Sequence, residues 1–131
     1  MNAKLAVFAV GLLSAASMFA HHSFSAEFDA NKPVTLKGTV TKVDWLNPHI
    51  WIYIDVKDQA GKLAHWQCEG GAPNSLTRNG WTKNQLKEGD AVTIEGTMAK
   101  DASNTCNASR VALPDGRRVF AGSSNPDLKE Q

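Results

Sequence analysis

No excess of charge of either sign runs through this sequence: 14 lysines and arginines face 13 aspartates and glutamates. Phosphate backbones are held at physiological salt by clustered Lys and Arg, and the one dense pair, Arg117-Arg118, reads as a solvated strand edge. Nucleic acid is not an expected partner. Long apolar runs are also missing. The most apolar stretch, Leu5 to Leu13 ("LAVFAVGLL"), falls well short of the roughly 20 residues that cross a bilayer as a helix. Cysteine is scarce, with no C-x-x-C pair and no Cys/His quartet, which removes a structural zinc site. Catalytic signatures are absent as well: there is no G-x-S-x-G, no H-E-x-x-H and no glycine-rich phosphate loop. "EGGAPN" has neither the lysine nor the strand-to-helix setting of a P-loop. Asp55 and His65 make part of a Ser-His-Asp triad without a nearby nucleophile and are expected to be a cross-strand pair. The chain is not expected to be an enzyme.

What is present begins with a leader. Lys4, the apolar run, and then Ser14, Ala15 and Ala16 have the three regions of a secretory signal peptide rather than of a retained anchor. Cleavage after Ala20 would make His21 the N-terminal residue but puts Met18 at the minus-three position. Cleavage after Ser17 meets the small-residue rule through Ala15. The expected organisation is a signal peptide at 1–20, an N-terminal arm at 21–33, one domain at 34–122 and a loose polar tail at 123–131. The protein is expected to be periplasmic or secreted, with no membrane span once the leader is gone. In an oxidising compartment Cys68 and Cys106 have two fates. They pair, closing a loop of roughly forty residues worth on the order of 4 kcal/mol, or stay apart, with Cys68 buried as a small hydrophobe and Cys106 in a loop.

Beyond Pro33 the residues alternate with period two. Val34, Leu36, Gly38, Val40 and Lys42 fall on one face of a long first strand, and Thr35, Lys37, Thr39, Thr41 and Val43 on the other; Gly38 is the expected bend. Asn47-Pro48 breaks the strand. His49 to Lys57 ("HIWIYIDVK") then places Ile50, Ile52, Ile54 and Val56 in an apolar row, with His49, Trp51, Tyr53 and Asp55 opposite. Leu63 to Glu69 returns as a third strand, with Ala64, Trp66 and Cys68 inside and His65, Gln67 and Glu69 outside. Pro73 and Leu76 open a short helix ending near Gly80, and Thr82 to Leu86 predicts another helical turn capped by Thr82. Ala91 to Lys100, "ASRVAL" and "RRVFAG" supply the last strands, and Trp45 and Trp81 are expected to pack the ends.

Three strands, a short helical segment and two or three further strands make an all-β chain: a five- to six-stranded OB-fold-like barrel with its helix between strands three and four. In such a barrel the outer face of strands two and three binds ligands. Trp51, Tyr53, His65 and Gln67 stand there as candidate ligand-binding residues, able to stack on a flat small ligand or to meet an envelope protein.

"HHSFSAEFDANKPVTLKGTVTKVDWLNPHIW", the W and E of "HWQCEGGAP", "GWTKNQLKEGD" and "LPDGRRVFAG" together resemble a family of small secreted bacterial proteins of unknown function whose mature part opens with "HHSF". The similarity covers nearly all of the mature chain. It implies export and leaves the activity open; Cys68 and Cys106 lie outside its pattern.

The histidines suggest one chemistry. A free N-terminal His21 offers its amine and imidazole as a chelate, and His22 offers its own imidazole with the terminal amine and an amide. His49, held at a strand start by Asn47-Pro48, is the natural further donor, and Glu69 is a ligand or an acceptor that orients an imidazole. Copper(II) suits nitrogen donors best, with zinc less selectively held. Phe24 and Phe28 would dock the arm. The competing expectation is a solvated His-His spacer and a metal-free interaction module that uses the aromatic outer face. Asn107-Ala108-Ser109 spells a glycosylation sequon of little meaning in a bacterial chain.

Overall fold

The computed structural model describes residues 24–122. One turn of helix, α1 (Phe24–Glu27), leads into β1 (Phe28–Asp44), β2 (Trp51–Lys57) and β3 (Leu63–Glu69). Helix α2 (Pro73–Arg78) follows, then β4 (Ala91–Ala99), β5 (Thr105–Ala112) and β6 (Arg118–Phe120). The strands bond in the order β3-β2-β1-β4-β5-β6, and a short parallel contact between β3 and β5 closes the first five into a ring. The chain is thus mostly antiparallel sheet, with its short helix between β3 and β4. Among the described residues no helix is long and apolar enough to cross a membrane.

The apolar row of β2 is the centre of the core. Ile50, Ile52 and Ile54 are fully buried against Val40, Ile94, Val111 and Leu76, each such side chain contributing about 1.5–3 kcal/mol on leaving water. Trp66 is only partly buried, packed on the rim of this cluster. Across β2 and β3 the register is Trp51 with Glu69, Ile52 with Cys68, Tyr53 with Gln67, Ile54 with Trp66 and Asp55 with His65, so inner and outer rows fall as the alternation predicts.

β1 departs from the simple alternation twice. It begins at Phe28 rather than Val34, because Asp29 to Lys32 loop out between the Phe28–Ala99 and Pro33–Thr97 pairs. The Asn31 N–H bonds the Asp29 carboxylate across this excursion, and such an irregularity tolerates a proline within a strand. Phe28 itself is buried. The second departure is a bulge between Val40 and Lys42. The extra residue swaps the faces beyond it, so Lys42 stands outside, its ammonium 5.3 Å from the centre of the Tyr53 ring, while Val43 turns in to pack on the core. Gly38 serves a close approach: a β-carbon there would come within 2.4 Å of the Asp55 carbonyl oxygen.

Pro73 opens α2 and Leu76 buries its inner side. Trp81 is fully buried and meets Trp45 edge to face at 5.8 Å. The turn expected over Thr82 to Leu86 does not become helix. It remains a single local turn, in which the Gln85 side-chain oxygen accepts from the Thr82 N–H and the Gln85 N–H donates to the Thr82 carbonyl; just beyond it Val40 of β1 ties down the turn before β4 (Val40 N–H to the Asp90 carbonyl, Gly89 N–H to the Val40 carbonyl). β5 starts at Thr105, earlier than its alternation suggests, because Thr105, Cys106 and Asn107 pair with Gln67, Cys68 and Glu69 of β3.

Cys68 and Cys106 are joined by a disulfide across that seam, 38 residues apart in sequence, and both are fully buried. Replacing both by alanine removes a loop constraint worth about 4 kcal/mol in the chain-entropy model. The double variant is expected to lose most of that in urea unfolding, measured against the oxidised protein; a loss under about 1 kcal/mol would mean that the seam holds without its crosslink.

Candidate functional site

The connection from β1 to β2 carries His49 to the end of β3. Two backbone bonds fix the approach: the Ile50 N–H donates to the Gly71 carbonyl at 3.0 Å, and the Gly70 N–H donates to the Ile50 carbonyl at 2.8 Å. The His49 ring then has Nδ1 3.1 Å from the Gly70 carbonyl oxygen. A carbonyl only accepts, so Nδ1 carries a proton and donates it, which directs Nε2 the other way. Nε2 lies 3.6 Å from Oε1 of Glu69, whose side chain is 13% exposed against 36% for His49.

Burial pushes the Glu69 carboxyl above its ordinary value of 4.5; the facing His49 ring pulls it down, and the like charge of Glu27 at the α1–β1 junction adds to the upward push. A carboxylate withdrawn from water in this way is stabilised by any cation that reaches it. Glu69 also lies between two neighbours in register, Trp51 on β2 and Asn107 on β5, and paired residues share a sheet face. Asn107 is 7% exposed, the one buried polar residue among the described residues, and that burial leaves its sequon without an accessible amide.

The structure thus brings together His49 and Glu69. His21 and His22 lie outside the described residues. Among the described residues no three His, Cys, Asp or Glu side chains gather as a metal-binding group. The four residues of the predicted aromatic face separate into two sets. Trp51 and Gln67 line a groove of about 560 Å³ together with the base of the arm and the β4–β5 connection. Tyr53 sits under Lys42, and His65, 84% exposed, pairs with Asp55, so neither reaches that groove.

A family described as of unknown function, DUF6152, matches residues 9–108. The chain belongs to that family. No curated protein and no solved structure matches it. The matched span contains both His49 and Glu69 and the whole seam between β3 and β5.

Three contributors were not evident from the sequence. Glu27 sits in the arm, where only phenylalanines marked docking. Asn107 joins Glu69 through the parallel seam, a pairing that follows only once Cys68 is paired with Cys106. The β4–β5 connection lines the groove with residues, Lys100 to Ser103, that alternation leaves as plain loop.

Glu69 carries a pH signature. Its pKa is raised in the folded chain, so the folded state holds this proton more tightly than the unfolded one. Its contribution to stability is therefore complete below about 4.5 and is lost as pH rises through the folded value. Glu69→Gln keeps the shape and removes the charge. In metal-free buffer at pH 7 its Tm is expected to equal or exceed that of the parent, with a flatter pH profile above pH 4.5. A Tm several degrees lower would show the charge to be stabilising instead.

Proposed function

We propose that this is an exported small binding protein that holds a divalent transition metal, copper(II) or less selectively zinc(II), through His49 and Glu69, with His21 or His22 completing the set. Export is supported by the leader pattern at 1–20 and by the buried disulfide, a bond that persists in oxidising compartments.

The observation that carries the reading is the orientation of His49. Metal-bound imidazoles commonly donate their second nitrogen to a backbone carbonyl, which fixes the tautomer and directs the free lone pair at the ion; the Gly70 carbonyl fills that role. The lone pair on Nε2 then faces a half-buried carboxylate oxygen at 3.6 Å. This is too long for a good hydrogen bond, yet close to the span of about 3.4 Å between nitrogen and oxygen ligands bonded at about 2.1 Å around a tetrahedral ion. When the ring is neutral the two lone pairs are held in opposition, and a positive charge between them, a metal ion or the ring's own second proton, is stabilised; Glu27 adds further negative potential. Two donors from the ring leave room for the N-terminal histidines, which precede Glu27 by five and six residues. A free His21 would add amine and imidazole together, the donor set that most favours copper(II).

Calorimetry and EPR on the mature protein titrated with copper(II) test the reading. One ion per chain is expected, with affinity reduced about tenfold or more by His49→Ala and by Glu69→Gln, as for lost ligands. Micromolar or weaker binding that His49→Ala leaves unchanged overturns it. Intact mass and N-terminal sequence of the exported chain decide between the two chelates, since only cleavage after Ala20 gives His21 a free amine.

A further inference from the structure

The groove beside the Glu69 site is lined by groups of unlike chemistry. Trp51 stands partly exposed on the outer face of β2, at the edge of a trough of about 560 Å³. Most of the other lining residues are polar. Gln67 donates through Nε2 to the Thr105 hydroxyl at 3.2 Å, and Ser103 donates to the same hydroxyl at 3.0 Å. Asp101 turns the connecting loop by accepting the Ser103 N–H at 2.9 Å, and the Ser103 side chain first, then that N–H, hold its carboxyl below its ordinary value.

We propose that this groove binds an oligosaccharide, with one sugar ring stacked on Trp51 and its hydroxyls met by Gln67, Asp101, Ser103 and Thr105. The location is the one that OB-like rings use for extended ligands, the face of strands two and three bounded by the connection between strands four and five. Charge then selects between the two polymer classes such faces bind. Glu27 and Asp101 line the trough against a single lysine, Lys100, and the chain outside its leader is neutral, so a phosphate backbone gains nothing there. A sugar ring is uncharged, has an apolar C–H face that suits an indole, and carries adjacent hydroxyls that both donate and accept. An amide, a carboxylate and two hydroxyls within one trough supply both roles. An aromatic wall with a few convergent polar groups is also the usual composition of a small-ligand site, and the trough is open, which suits a chain passing through.

The proposal does not depend on metal binding, and the test keeps the two apart. The mature protein is titrated with cellohexaose, chitohexaose and maltohexaose in the presence of EDTA, with tryptophan fluorescence and amide chemical shifts as readouts. At least one is expected to bind with a Kd between about 10 µM and 1 mM, moving the amides of residues 51, 67 and 101–105. Trp51→Ala and Gln67→Ala are expected to weaken it about tenfold or more, Trp51→Phe is expected to restore part of it, and His49→Ala to leave it unchanged. Circular dichroism confirms that each variant folds; Gln67, exposed on the surface, serves where Trp51→Ala does not. No binding of any of the three sugars at about 10 mM, equal binding by the parent and both alanine variants, or a preference for hexathymidylate over every sugar overturns the proposal.

Discussion

Everything in this molecule depends on how the ring closes. Four of its five junctions are antiparallel ladders whose registers follow from neighbouring strands or short connections, but the fifth joins β3 to β5 in parallel through only three paired positions. Parallel pairing is slightly the weaker geometry per residue, and three pairs offer few bonds to resist slippage. The Cys68–Cys106 disulfide sits in the middle of those three. It fixes the register at the one junction that backbone bonding alone specifies least. The close approach of β4 to β5 has the same purpose on the other side, since a β-carbon at Gly96 would lie 2.1 Å from the Asn107 carbonyl oxygen.

The seam also positions the site. Glu69 and Asn107 are each one residue beyond a cysteine, so the crosslink that holds the core holds them side by side on the outer face. His49 then arrives from the opposite strand, pinned by the bonds between Ile50 and Gly70–Gly71. The three side chains come from segments distant in sequence, yet each is within two residues of a backbone bond or covalent link that fixes it. A ligand site on such supports would lose little entropy when filled, and the same supports hold the half-buried Glu69 carboxyl where burial raises its pKa.

What the sequence reveals and what it hides divide along physical lines. The β2–β3 register was legible because Ile50, Ile52, Ile54 and Val56 alternate with Trp51, Tyr53 and Asp55, and a one-residue slip would bury Asp55 and expose Ile54. From that register Glu69 falls beside Trp51 and close to His49. The β1 bulge was hidden because Thr39, Val40, Thr41 and Val43 are all β-branched, and a run with weak contrast between faces does not reveal an inserted residue. The early start of β1 was hidden for the opposite reason: Asp29 to Lys32 loop out and have no alternation to read. Asn107 depends on a parallel contact, whose register no local pattern encodes; the cysteines carried that information, but only as a pair. The helical turn after Trp81 stops at a single local turn, with Gln85 N–H on the Thr82 carbonyl and Thr82 N–H on the Gln85 side chain, because the chain at Gly89 is already bonded to Val40 of β1.

The two histidine–carboxylate pairs of the outer face make the same point about environment. His65 with Asp55 and His49 with Glu69 are each a histidine facing a carboxylate across β2 and β3 or the connection into β2, and composition cannot rank them. His65 is 84% exposed; such a pair is screened by water and salt and contributes little. His49 is held by the Gly70 carbonyl and opposes a carboxylate that is 13% exposed, where solvent screens less and an unbalanced charge costs more. The first pair is satisfied as it stands. The second has an oriented ring, a desolvated acid and a neighbouring Glu27, and the proposal of a metal site rests on that arrangement. Burial and orientation, rather than residue identity, single out the end of β3 as the place where this fold has chemistry in reserve.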